Sequence, residues 1–303
     1  MSGTGRLRNA LTDYLSLRRA LGYRLVRPQT LLNQFLDHLQ DTDACVVTVH
    51  AALSWARQSV HADPNWWAYR LSVVRGFATY LHTLDPAHEV PAADLLPRRT
   101  RRATPYLYSD QDIAALVGAA ESLPTPLRRA TFATLIGLLG VTGMRVGEAI
   151  ALDCDDVDLN GGLLVVRHGK FDKARELVLD PSTSEALRRY LADRARMATD
   201  PRSSAFFVSN VGTRLLYRNV QRAFQQLVHI VGLSPKAGSG RPRIHDLRHS
   251  FAVRSMLDAY AAGQDGQARL TLISTYLGHV HPTSTYWYYS DSRVIPMPAP
   301  SCA

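Results

Sequence analysis

Residues Ile273–Ser290 read ISTYLGHVHPTSTYWYYS. A histidine, His279, follows the Leu277–Gly278 pair, and nine residues later Tyr288 closes the string Thr285-x-x-Tyr288. Working outward, the next polar cluster upstream is His245-Asp246-Leu247-Arg248-His249. Further back lies Thr142-Gly143-Met144-Arg145-Val146-Gly147-Glu148. Between the two arginine motifs, Gly169-Lys170-Phe171-Asp172-Lys173-Ala174-Arg175 reads as a hairpin. Two arginines, histidines, a lysine and a phenol are the equipment needed to hold a phosphate and present a nucleophile to it.

Each residue type suits one part of that chemistry. A guanidinium stays charged and forks to two phosphate oxygens, which fits Arg145 and Arg248. Glu148 lies three residues after Arg145 on one helical turn, so the two form an ion pair that also orients the arginine. His245 and Arg248 share a helical face by the same spacing, and His245 can donate to a phosphate oxygen or take a phenolic proton. His279 approaches from another element. Lysine occurs only at positions 170, 173 and 236. Lys170, at the hairpin tip, suits a general acid toward a leaving 5′ oxygen, because neighbouring cations lower a lysine's pKa while an arginine barely releases its proton. Lys173 competes for that role. Three phenols, Tyr286, Tyr288 and Tyr289, crowd the end of the stretch. Spacing from His279 selects Tyr288, leaving Tyr286, Tyr289 and Trp287 as packing groups.

Bulk properties frame the partner. The chain has 303 residues, enough for two ordinary domains, with 46% hydrophobic and 20% charged residues. A formal net charge of +9 favours a polyanion such as nucleic acid or an acidic membrane face. Cys45, Cys154 and Cys302 show no ligand spacing, which points to a reducing compartment without disulfides or structural zinc. No apolar run reaches the length of a membrane span, and no signal peptide is visible. The expectation is a soluble cytoplasmic protein that acts without membrane partners, metal or cofactor.

Apolar spacing predicts helices over 6–22, 29–40, 48–58 and 64–84. That makes a helical domain over 1–96. Arg18, Arg19, Arg24, Arg27, Arg57, Arg70 and Arg75 are interleaved there with Trp66, Trp67 and Tyr69, a pattern that reads either as a solvated basic face or as a surface following phosphates. A basic linker over 97–105, PRRTRRATP, reads either as a merely solvated connection or as a segment laid along phosphates, with Arg98, Arg99, Arg101 and Arg102 as DNA contacts. The second domain spans 106–303 and opens on a capping signature, Ser109-Asp110-Gln111-Asp112. In it, helices are predicted over 126–140, with Gly140 and Gly143 as breaks, and over 143–151. Strands over 163–167 and 176–179 flank the hairpin turn. Helices near 181–199, 217–232, 246–261 and 271–277 complete the domain, with 262–268 as a polar loop.

The ordered set Arg145, Lys170, His245, Arg248, His279 and Tyr288 resembles the catalytic set of the tyrosine recombinase, or phage integrase, family. The wording of STYLGHVHPTSTYWYYS is similar to transposon-borne members. The resemblance covers residues 106–290 and extends to the front domain, which looks like the family's SAM-like core-binding domain. It implies a mainly α fold with a small β-sheet and a two-domain, C-shaped clamp on duplex DNA. It also implies site-specific recombination, for integration or excision of a mobile element, through a covalent 3′-phosphotyrosyl intermediate and a Holliday junction. Neither ATP nor a metal is implied. Partners would be double-stranded DNA with a specific site, a homotetramer on that DNA, accessory proteins, and the nucleoid as location. Two features depart from the pattern. The segment between Arg248 and His279 is longer than in compact members, and Pro296, Pro298 and Pro300 break the fifteen residues after Tyr288. A topoisomerase-like enzyme and a non-catalytic DNA-binding accessory protein are the rival readings.

Overall fold

In the computed structural model, which describes residues 3–60, 62–97, 104–167, 174–198, 203–236 and 239–278, the chain divides into two units, Met1–Arg102 and Ala103–Ala303. The first is built from four helices: α1 (Gly3–Ala20), α2 (Val26–Asp41), α3 (Val49–Arg57) and α4 (Pro64–Leu84). Thr48 caps α3 by accepting the Ala51 N–H at 3.1 Å. Asp63 caps α4 by accepting that of Asn65 at 2.7 Å, with Pro64 at the first helical position. The apolar stripes of the helices meet in one core that includes Leu11, Phe35, Trp55, Phe77 and Leu81. Phe35 and Trp55 meet edge-on at 5.3 Å between ring centres.

The basic face of this unit is smaller than the sequence suggests. Arg70 is buried, lies 3.8 Å from the centre of the Trp55 ring and donates to the Ser59 hydroxyl at 3.1 Å. It belongs to the core, because its period-3.6 position in α4 falls on the inward stripe. Arg27 instead stays outside, 4.5 Å over the Trp66 ring, and Arg18 sits 4.0 Å over Tyr23.

The second unit begins with α5 (Asp110–Ala119), whose Ser109–Asp112 capping box is formed in both directions. Then come a short 3-10 turn (Ala120–Ser122), α6 (Pro126–Thr142), α7 (Val146–Ala151) and a second 3-10 turn (Cys154–Asp156). Three antiparallel strands follow in the order β1 (Val157–Asp158), β2 (Leu163–Val166) and β3 (Arg175–Val178). The chain continues through α8 (Pro181–Met197), α9 (Tyr217–Val231), α10 (Asp246–Ala261) and α11 (Gly266–Leu277). The unit is therefore mainly helical with a small sheet. Helix α6 is its centre, and α5, α8 and α10 all pack on it. Among the described residues no helix is long and apolar enough to cross a membrane.

Gly140, the start of α11 and strand β1 depart from the sequence expectation. Gly140 does not break α6. It lies inside the helix, where an added Cβ would come within 3.2 Å of Ile113, so it lets α5 approach closely. Helix α11 starts at Gly266, inside the expected 262–268 loop, because Asp265 accepts the Gln267 N–H at 2.8 Å and caps it. Strand β1 was not foreseen, since two residues carry no periodicity. The stop of α6 is Gly143, at φ +60°. A Cβ there would sit 2.4 Å from the Phe251 ring, so this position needs glycine twice, for its conformation and for its space.

Gly143→Ala should therefore destabilise the protein by about 1–3 kcal/mol in urea unfolding. Gly137→Ala, in the same helix with open space around its Cβ, should be neutral or stabilising by about 0.5–1 kcal/mol. Equal effects of the two substitutions would contradict this account of the α6 stop.

Candidate active site

The ends of three helices converge. Gly143 ends α6, and Arg145 follows as the residue capping α7. Gly278, at φ +67°, ends α11. His245 sits at the entry to α10 and Arg248 in its first turn. The buried Arg248 guanidinium donates from one Nη to the Gly143 carbonyl at 2.9 Å and from the other to the Leu277 carbonyl at 2.6 Å. It thus clasps the C-terminal ends of α6 and α11, where unpaired carbonyls and the helix dipoles favour a cation.

Arg145 is held by Glu148. The carboxylate accepts the Arg145 backbone N–H at 2.8 Å and a guanidinium N–H at 2.7 Å. The carboxylate is buried, with 5% of its side chain exposed, whereas Arg145 keeps 26% of its side chain in contact with solvent. A second arginine, Arg175, binds the same carboxylate from β3, with one Nη at 3.1 Å from Oε1 and the other at 2.7 Å from Oε2. Burial pushes the Glu148 carboxyl upward. The hydrogen bonds and charge of Arg175, with those of Arg145, outweigh it and hold the pKa at about 2.

His245 has the opposite shift. Its ring reaches solvent, yet crowding by surrounding protein atoms pushes its pKa down, and the charges of Arg248, Arg145 and Arg243 add to this against a weaker opposing effect of Asp246. It is therefore neutral at pH 7, with one ring nitrogen able to donate and the other to accept. The His249 ring meets it edge-on at 5.1 Å between centres. The buried Asp246 carboxylate accepts the backbone and side-chain N–H groups of Arg243, the shortest at 2.8 Å. One helical turn on, the Ser250 hydroxyl accepts the Tyr108 N–H at 2.8 Å and donates to the Asp246 carbonyl at 2.9 Å. These contacts fix the start of α10, and with it His245 and Arg248.

Of the residues singled out in the sequence, Arg145, Glu148, His245 and Arg248 are thus brought together. Lys170, Lys173, His279, Tyr286, Tyr288 and Tyr289 lie outside the described residues, as do Arg98, Arg99, Arg101 and Arg102. The third lysine, Lys236, is engaged elsewhere: its ammonium donates to the Leu107 carbonyl at 3.2 Å and to Asp112 at 3.0 Å, 4.5 Å over the Tyr106 ring. An apolar hollow of about 500 Å³ between α5, α6 and α8, lined by Val117, Gly137, Val141, Ala186 and Tyr190 among others, shares no residue with the cluster.

Sequence reasoning missed Arg175, which it left in the hairpin turn. A signal existed. Strand β3 alternates, with Leu177 and Leu179 buried and Val178 exposed, so Arg175 falls on the inward face. An arginine on a buried face needs a carboxylate partner.

Residues 106–293 match the model of the phage integrase family. Over 291 residues the chain is 40% identical to y4rB of Sinorhizobium fredii, a protein assigned as an integrase/recombinase, covering 94% of this chain and 93% of that one. It is 34% identical over 219 residues to the tyrosine recombinase XerC of Azotobacter vinelandii, covering 72% of this chain and 67% of that one. Among solved structures, the Tn1549 transposon integrase in complex with transposon right end DNA has the same fold. Its TM-score is 0.66 at 16% identity, over 92% of this chain and 94% of that chain.

The Glu148 carboxyl has a measurable consequence. Its pKa lies below the ordinary value of 4.5 when folded, so its contribution is complete above that value and is lost as pH falls toward about 2. The shift corresponds to roughly 3 kcal/mol. Glu148→Gln should be less stable than the parent at pH 7, and the gap should narrow between pH 5 and pH 2.5 in urea unfolding. A gap independent of pH would show that Glu148 is not held as a carboxylate by its arginines.

Proposed function

Because the chain belongs to the phage integrase family, with tyrosine recombinase relatives, we propose that it is a site-specific DNA recombinase that cuts and rejoins strands through a 3′-phosphotyrosyl bond. Tyr288 is the nucleophile. Its oxygen attacks the scissile phosphorus, the bond to the 5′ oxygen breaks, and Lys170 supplies the proton that makes that oxygen a hydroxyl. Arg145 and Arg248 hold the non-bridging oxygens as negative charge builds on them. A free phenol has a pKa near ~10, so the neutral His245, together with His279, serves to accept or relay its proton. The reverse attack by a 5′ hydroxyl of a second duplex releases Tyr288 and joins new strands. The phosphotyrosine bond conserves the phosphodiester energy, so the reaction needs neither ATP nor a metal.

The observation that carries this reading is the meeting of Arg145, His245 and Arg248 where α6, α10 and α11 converge, with cationic side chains outnumbering carboxylates among the described residues there. In this reading 1–96 is a core-binding domain, 97–105 a basic linker laid along phosphates by Arg98, Arg99, Arg101 and Arg102, and 106–303 the catalytic domain. Four protomers act on two sites through a Holliday junction, with accessory proteins, to move a mobile element. Mapping the junctions formed in cells that express the chain supplies the DNA site for the tests below.

On a nicked duplex carrying that junction sequence, Tyr288→Phe should bind DNA and form no covalent adduct, while Tyr286→Phe and Tyr289→Phe should form one. Peptide mapping that finds the phosphate on Tyr286 or Tyr289 would overturn the assignment of the nucleophile.

Lys170→Ala should be slowed on the ordinary duplex by on the order of 10²–10⁴, the range of a lost general acid. It should recover when the 5′-bridging oxygen is replaced by sulfur, which leaves without a proton. If Lys173→Ala shows that recovery and Lys170→Ala does not, the acid is Lys173.

A further inference from the structure

Arg175 stands outside the set of residues that the proposed reaction uses, yet it touches two parts of it. Both of its terminal nitrogens are spent on Glu148, one on each carboxylate oxygen. The same carboxylate holds the backbone and guanidinium of Arg145. On its other side Arg175 lies against Gly278, where an added Cβ would meet Nη1 at 3.2 Å and Cδ at 3.5 Å. Only 13% of the Arg175 side chain is exposed, half the figure for Arg145. Its fork is spent on the carboxylate that also holds Arg145. Its position suits holding other groups in place.

We propose that Arg175 is a positioning residue, which fixes the Arg145 guanidinium through Glu148 and couples it to the Gly278 turn that leads into His279. The inference rests on the reading of Arg145 as a phosphate-holding residue. The geometry explains why an arginine stands at the first residue of β3. Arg145 itself reaches both Glu148 oxygens, its backbone N–H on Oε2 and one Nη on Oε1, but the second bond moves with the guanidinium that has to be fixed. Two parallel N–H donors from Arg175 fix the plane of the carboxylate. The plane then sets the direction from which Arg145 approaches. A lysine would keep the charge and lose the fork. Arg175 is also the first residue of β3, two positions after Lys173 in sequence.

The test is a double-substitution cycle in the full chain. Single-turnover cleavage is followed on the nicked duplex with sulfur at the 5′-bridging position, so that slow variants stay measurable. Arg175→Ala should slow cleavage by about 10–100-fold, the scale of a misplaced catalytic group, with duplex affinity within about twofold of the parent. Arg175→Lys should fall between the two. In an Arg145→Ala background, adding Arg175→Ala should slow cleavage by less than about threefold, because the group it positions is already gone. Full multiplication of the two losses, or a near-normal rate in Arg175→Ala alone, would overturn the proposal. Should Arg175→Ala fail to fold, the same cycle is run with Arg175→Lys, and multiplication there has the same meaning. Cleavage at the parental rate in Arg145→Ala alone would instead break the underlying reading of the site.

Discussion

The buried guanidinium of Arg248 ties two helix ends together, and much of the site geometry depends on it. A helix terminates with carbonyls that have no intrahelical partner, and these must find donors when they are buried. Here the end of α6 and the end of α11 share one donor, since Arg248 binds the Gly143 and Leu277 carbonyls. Both helices stop on a glycine with positive φ, Gly143 and Gly278. Such a stop lets the chain turn sharply away from the helix axis. After the first turn comes Arg145, and after the second, in sequence, His279. One buried cation therefore sets the exits of two segments that bear proposed catalytic side chains. This gives Arg248 a structural task alongside any contact it makes with phosphate, so its replacement would disturb packing as well as chemistry.

A second layer of control is electrostatic. Arg145, Arg175 and Glu148 form a row in which one carboxylate serves two guanidiniums. Burying such a group costs several kcal/mol of hydration unless its partners are well placed. Glu148 meets that condition with hydrogen bonds to both oxygens, which is why burial fails to raise its pKa. Desolvation by the surrounding protein depresses the His245 pKa, and the charges of Arg248, Arg145 and Arg243 add to it. The charges that would hold a phosphate thus also favour a neutral imidazole, in the same direction as desolvation. A phosphate entering the cluster would reverse part of that effect and make His245 more basic as the reaction began.

Much of this was legible in the sequence, and most of the parts that were not share a cause. Local signals held: the Ser109–Asp112 capping box, the Thr48 cap, the Gly143 stop and the Arg145–Glu148 spacing each depend on residues within a turn of one another. Apart from the start of α11, where the local Asp265 cap decides, the errors below fall where a distant neighbour decides. Gly140 reads as a breaker, but contact with Ile113 of α5 gives it a reason to remain inside a helix. Arg70 reads as part of a basic face, but Trp55 of α3 takes it into the core. Arg175 reads as a turn residue, although its partner Glu148 lies 27 positions away. Local spacing carries no information about such pairs. Strand alternation does carry a trace, because Leu177 and Leu179 fix which face is inward.

The use of lysine follows from the same physics. In a chain whose positive charge is almost wholly arginine, the three lysines at 170, 173 and 236 need separate explanations. Lys236 has one: a compact ammonium reaches a backbone carbonyl, a carboxylate and an aromatic face at once, and it pins the start of the second unit beside α5. That environment raises its pKa through the hydrogen bond with Asp112, against a desolvation effect in the other direction. A lysine so held keeps its proton and cannot serve as an acid near neutrality. The remaining two lie in sequence between β2 and β3, shortly before Arg175. Nearby guanidiniums lower a lysine's pKa where a carboxylate would raise it. The held ammonium of Lys236 is a physical reason to seek the proton donor at one of the other two lysines.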